Sequence, residues 1–140
     1  MVQLYLDIDG VLLTAKHTRP APGVAEFVAF ITQHFESYWL TTHCKGDPAT
    51  ALRYLTAYLP VSSLVQLRAV QPTNWDALKT EAIDVRADFY WLEDRPFQAE
   101  IACLAAAGVA DRLVVVDLDT PNALGQVQET LRQALRNQRL

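Results

Sequence analysis

Short runs rich in β-branched and aromatic residues alternate along this chain with stretches whose apolar residues recur at helical spacing. That alternation constrains the fold more than any other feature, because parallel strands need a crossover between them and a helix is the usual one. Gln3 to Ile8 mixes Leu, Tyr and Ile in a run closed by Asp-Gly, the pattern of a strand buried on both faces. After a loop with Pro20, Pro22 and Gly23, Val24, Phe27, Val28, Ile31 and Phe35 fall on one helical face. SYWLTT, residues 37–42, reads as a second strand. Asp47-Pro48 is a helix start, a side-chain cap before a proline whose missing N–H costs nothing there, and Pro60 ends that segment. LVQLRAV, residues 64–70, reads as a third strand. Thr73 to Asp76 reads as a capping box opening a helix around WDALKTEAI. FYWL, residues 89–92, is the fourth strand, and Pro96 starts a helix with Gly108 as its stop. RLVVVDL, residues 112–118, is the fifth. The last helix opens over Asp119 to Pro121 and presents Leu124, Val127, Leu131 and Leu135 on one face. The expectation is an α/β domain over residues 1–140, a three-layer, Rossmann-like arrangement with a mostly parallel five-stranded sheet and helices on both faces.

At 140 residues and 51% hydrophobic, the chain can bury a core of its own. Its net charge is -4 and its twelve Lys and Arg are scattered, so no basic footprint for nucleic acid stands out. No run reaches the ~18 apolar residues of a membrane span, and no basic, apolar, small-residue leader is present, which makes the cytoplasm the expected compartment. Cys44 and Cys103 lack metal-ligand spacing and read as two buried free thiols. Trp39, Trp75 and Trp91 read as packing residues rather than stacking platforms.

In parallel α/β sheets, ligands collect at the carboxyl ends of the strands, where the strand order reverses. The strand ends here carry Asp7 and Asp9, then Thr41 and Thr42, then Glu93 and Asp94, then Asp117 and Asp119. If the first and fourth strands are neighbours, Asp7, Asp9 and Asp94 converge, and converging carboxylates repel unless a cation lies between them or one keeps a proton. Mg²⁺ suits such an oxygen-only site, and Lys79 is the candidate cationic side chain. Asp117 and Asp119 read as caps of the last helix. Thr42 is either a second hydroxyl in the pocket or the end of its strand. An EF-hand loop is excluded because Val11 stands where that pattern needs a fifth-position ligand. His43 beside Cys44 as a thiol–base pair is disfavoured, since neighbours in extended chain point to opposite sides.

DIDGVL, residues 7–12 with their acids at Asp7 and Asp9, resembles the first motif of the haloacid dehalogenase superfamily of phosphohydrolases. Thr41 after YWL is similar to its second motif, Lys79 to its third, and Glu93-Asp94 after FYWL to its acidic fourth. The resemblance implies that Asp7 is a nucleophile forming an aspartyl-phosphate and that Asp9 is the general acid and base. It further implies that Thr41 donates to the phosphoryl oxygens, that Lys79 neutralises charge, and that Gly10 lets the chain turn beside the ligand. Mg²⁺ would be held by Asp7, the Asp9 carbonyl and Asp94, with Glu93 as a second, water-mediated contact. Arg68 and Arg95 are alternatives to Lys79. The gaps between motifs leave no room for the cap domain that many members carry, so the expected site is open. An open site suits the phosphomonoester of a large substrate, such as a phosphoprotein or a nucleic-acid end, or one presented by a partner that closes over the site. Two other functions compete: a catalytically silent binding module of the same fold, and a receiver-like phosphoacceptor domain. The motif order disfavours the receiver, whose phosphorylated Asp would stand near Ala69 and Val70.

Overall fold

A computed structural model describes residues 1–138, so the last two positions of the expected 1–140 domain lie outside the described residues. Four strands, β1 (Gln3–Leu6), β2 (Glu36–Trp39), β3 (Phe89–Glu93) and β4 (Leu113–Val115), form one sheet in the order β2-β1-β3-β4. Every pairing is parallel, with Leu6 opposite both Trp39 and Leu92. The helices are α1 (Val24–His34), α2 (Pro48–Leu55), α3 (Val61–Leu67), α4 (Gln98–Ala106) and α5 (Ala123–Gln138).

Side chains alternate across the sheet and so build two cores. Leu4, Leu6, Trp39 and Leu92 pack on one face with Phe27, Val28 and Ile31 of α1, Leu55 of α2, Leu67 of α3 and Leu131 of α5. Tyr5, Leu40, Phe89 and Trp91 pack on the other with Ile83 and with Leu104 of α4. The result is a helix–sheet–helix α/β architecture. Trp39 and Trp91 are fully buried, while Trp75 is half-buried against the second core with the Lys45 ammonium 4.9 Å from its ring centre.

Among the described residues the sheet has four strands rather than the expected five. Val61–Leu67 is helical, because Ser63, Leu67 and Val70 are the positions that meet the core and their spacing is that of a helix. One parallel bridge, between Gln71 just past the expected strand and Tyr38, runs on the outer side of β2. The helix expected around WDALKTEAI is also absent. Thr73 gives its hydroxyl hydrogen bond to the Trp39 carbonyl instead of capping, and the segment runs as loop into a short 3₁₀ turn, Lys79–Ala82. There the Glu81 carboxylate accepts from the amides of Asp76, Ala77 and Leu78 at 3.1, 3.1 and 2.8 Å. Asp47 does cap α2, accepting from Ala49 N–H at 3.0 Å. Asp117 and Asp119 do not cap α5. Asp117 instead closes a turn by accepting from Asp119 N–H at 3.0 Å, and α5 begins after Asn122. Of the two cysteines, Cys44 is buried as expected and Cys103 is exposed, on the outer side of α4. No described helix is long and apolar enough to cross a membrane.

Candidate functional site

β1 lies between β2 on one side and β3 on the other, so the strand order reverses between β1 and β3. Their carboxyl ends therefore splay a crevice, and Asp7 leaves one while Glu93 and Asp94 end the other. One carboxylate oxygen from each of Asp7, Glu93 and Asp94 lies within 4.8 Å of the others. Among the described residues, Asp9, Asp117 and Asp119 contribute nothing to that group. Asp7 is buried, and its Oδ1 accepts from Ile8 N–H at 2.8 Å, which fixes the rotamer that turns Oδ2 towards Lys79.

Lys79 is the cation of the site: Nζ donates to Asp7 Oδ2 at 3.2 Å and to Glu93 Oε1 at 2.8 Å. Arg68 and Arg95 are not needed in that role. Four ionisable groups share this space, the acids Asp7, Glu93 and Asp94 and the base Lys79, so carboxyl groups outnumber the one cation. Burial and the neighbouring Asp7 push Glu93 up to about 9, so Glu93 keeps its proton at neutral pH. Burial alone would lower Lys79, but Asp7 and Glu93 outweigh it and hold the lysine above its ordinary value. Asp94 is raised by partial burial and then by the charge of Asp7. The site thus holds more carboxylate than it has positive charge to balance.

A hard cation fits this donor set. Every candidate ligand atom is a carboxylate oxygen, Glu93 Oε2 is buried without a hydrogen-bond partner, and the raised Asp94 and Glu93 mark a site short of positive charge. Gly10 adopts φ 84°, and a Cβ there would coincide with the Asp94 carboxylate, so glycine is required both by conformation and by space.

Thr41 comes one residue after Leu40, whose N–H donates to the Leu6 carbonyl at 2.8 Å, so it stands at the same edge of the sheet. Its buried hydroxyl accepts from His43 N–H at 3.3 Å. Thr42 is exposed beyond the end of β2 and lines a cleft of about 290 Å³ together with Lys45, Trp75, Lys79, Glu93 and Arg95. A larger cleft of about 590 Å³, between Tyr90 and α5, holds none of the candidate residues.

Asp9 points elsewhere. Its Oδ2 lies 2.8 Å from His43 Nε2, and its Oδ1 accepts from the Tyr54 hydroxyl at 3.1 Å. Burial and Asp9 together push Tyr54 up to about 12, so its hydroxyl remains a donor. Cys44 is not the partner of His43, and burial pushes its thiol up, away from reactivity. Sequence reading missed Tyr54 and Glu100. Glu100 is buried in the first turn of α4, and its carboxylate accepts from Phe97 N–H and from Lys79 N–H, both at 2.8 Å. An acid three residues after Phe97 at a helix start was the available signal for the first of these bonds, and nothing local announced the second. Comparison of the chain with known protein families, with curated proteins and with solved structures finds no match.

Proposed function

We propose that the protein is a Mg²⁺-dependent phosphohydrolase of the haloacid dehalogenase type, acting on phosphomonoesters through an aspartyl-phosphate at Asp7. The observation that carries this reading is the convergence of Asp7, Glu93 and Asp94 within 4.8 Å at the sheet's reversal point, with Lys79 bonded to two of them.

Asp7 is suited to attack. Its Oδ1 is fixed by a backbone amide and its Oδ2 faces a lysine, so the carboxylate is held in one orientation beside a cation that also attracts a phosphoryl group. Attack on phosphorus forms the Asp7–phosphoryl bond and breaks the bond to the leaving oxygen. Asp9, partly exposed and outside the acidic group, is placed to protonate that oxygen and later to take a proton from the water that cleaves the acyl phosphate. Thr41, with its hydroxyl oxygen already accepting from His43, keeps its proton for a phosphoryl oxygen. Lys79 would balance charge on the transferring group, and Thr42 lines the cleft where the rest of the substrate would lie. Mg²⁺, held by Asp7, Asp94 and the Asp9 carbonyl with Glu93 beside them, would neutralise the phosphoryl oxygens.

Among the described residues no separate lobe covers the strand ends: residues 7–23 form a loop leading directly into α1, and the chain between Thr41 and Lys79 is taken up by α2, α3 and loop. The open edge supports a substrate larger than a metabolite, such as a phosphoprotein or a nucleic-acid end. The test is hydrolysis of an aryl phosphate with and without Mg²⁺. Metal-dependent turnover is expected in the native protein and its loss in Asp7→Asn and Asp9→Asn, whereas metal-independent turnover or full activity in Asp7→Asn would refute the reading.

A further inference from the structure

Asp9 is gripped from two sides by residues that carry no part of the proposed chemistry. His43 reaches Oδ2 at 2.8 Å from the loop after β2, and Tyr54 donates to Oδ1 at 3.1 Å from α2. The two rings are nearly parallel, with centres 3.8 Å apart and planes at 10°, and Tyr58 braces Tyr54 edge-on at 5.6 Å. His43 is itself tied by its backbone N–H to the Thr41 hydroxyl at 3.3 Å. A stacked pair of rings, each with a polar atom on one carboxyl oxygen of Asp9, forms a rigid clamp, because neither ring can turn without losing both its stacking and its hydrogen bond.

The clamp does two things to Asp9. It keeps this carboxylate out of the Asp7–Glu93–Asp94 group, where a fourth acid would compete for the cation. It also fixes both oxygens of a side chain that is 44% exposed and would otherwise sample several rotamers. We infer that His43 and Tyr54 are positioning residues for Asp9, holding its carboxyl where the leaving group of the phosphomonoester needs a proton. This inference rests on the phosphohydrolase reading above.

Leaving-group dependence separates positioning of a proton donor from a general structural role. A dinitrophenolate departs without protonation, whereas an unsubstituted phenolate does not depart readily. Measured by kcat/KM, which reports steps up to formation of the aspartyl-phosphate, His43→Ala and Tyr54→Phe are each expected to lose about 10- to 100-fold on phenyl phosphate. On dinitrophenyl phosphate the loss should stay within about threefold, because the proton transfer is no longer required. His43→Gln, whose side-chain amide can offer a donor near the imidazole Nε2 position, should recover part of the loss. Thermal melting of each variant checks folding, and Tyr54→Phe keeps the ring and its packing. Equal losses on both esters, or no loss on either, would overturn the inference alone. Absence of turnover in the native protein on both esters would overturn the phosphohydrolase reading, and the inference with it.

Discussion

Glu93 is the residue on which the site's electrostatics turn. Its side chain is 6% exposed, one oxygen accepts from Lys79 and the other has no partner, and burial with the nearby Asp7 raises it from 4.5 to about 9. A carboxyl whose folded value is raised binds its proton more tightly in the native state than in the unfolded one. Its contribution to stability is therefore fully present below about 4.5 and is lost as pH rises through about 9. Asp94 shifts in the same direction and adds to the trend. Glu93→Gln, which stays neutral at every pH, should thus become progressively more stable relative to the metal-free native protein as pH increases across that window. Denaturant midpoints measured in parallel at several pH values check this, and a difference that stays constant or shrinks would contradict it. Asp7 and Thr41 were legible as candidates because each follows a strand, and Lys79 because it is a lysine between the second and fourth motifs. Which acid keeps the proton was not legible, since it depends on burial and on an ion pair between residues 72 positions apart.

At the scale of elements, the turn that presents Lys79 is fixed from both directions. Glu81 gathers three amides before it, and Glu100 of α4 accepts from the Lys79 amide itself. Glu100→Ala removes acceptors from two amides, one of them in a half-buried turn, and should cost about 1–3 kcal/mol in denaturant unfolding. It should also lower turnover, because the lysine loses its anchor to α4. Unchanged activity in a stable Glu100→Ala protein would show that Glu81 alone holds the turn. The helix expected here failed because Thr73 commits its side chain to the carbonyl of Trp39 at the end of β2, and Glu81 to loop amides, rather than to a helical first turn. The strand expected over residues 64–70 failed for a different reason. Its Val and Leu content favours neither element in so short a run, and packing against α1 selected the helix.

For the molecule as a whole, the strand order brings charges together that the rest of the fold must tolerate. A bound divalent cation would relieve that repulsion and stabilise the native state by mass action, about 2.7 kcal/mol at a hundred times its dissociation constant. Mg²⁺ is accordingly expected to raise the melting temperature of the native protein, and this shift should be lost in Asp94→Asn while the metal-free variant melts no lower than the metal-free native chain. An equal Mg²⁺ shift in Asp94→Asn would place the ion elsewhere.

By itself the sequence determined what short-range physics decides: the short β-rich runs and the helical ones, the Asp47-Pro48 helix start, the stripe of α5, and the acids that follow the first and fourth expected strands. Each depends on neighbours a few positions away, where periodicity and turn chemistry leave a local trace. Only the tertiary structure decided that Lys79 pairs with Asp7, that Glu100 anchors Lys79 from 21 positions away, and that His43 and Tyr54 close on Asp9 across 34 and 45. Those contacts are made by strand order and helix packing, and no local pattern encodes which distant side chains a sheet will bring within hydrogen-bond reach.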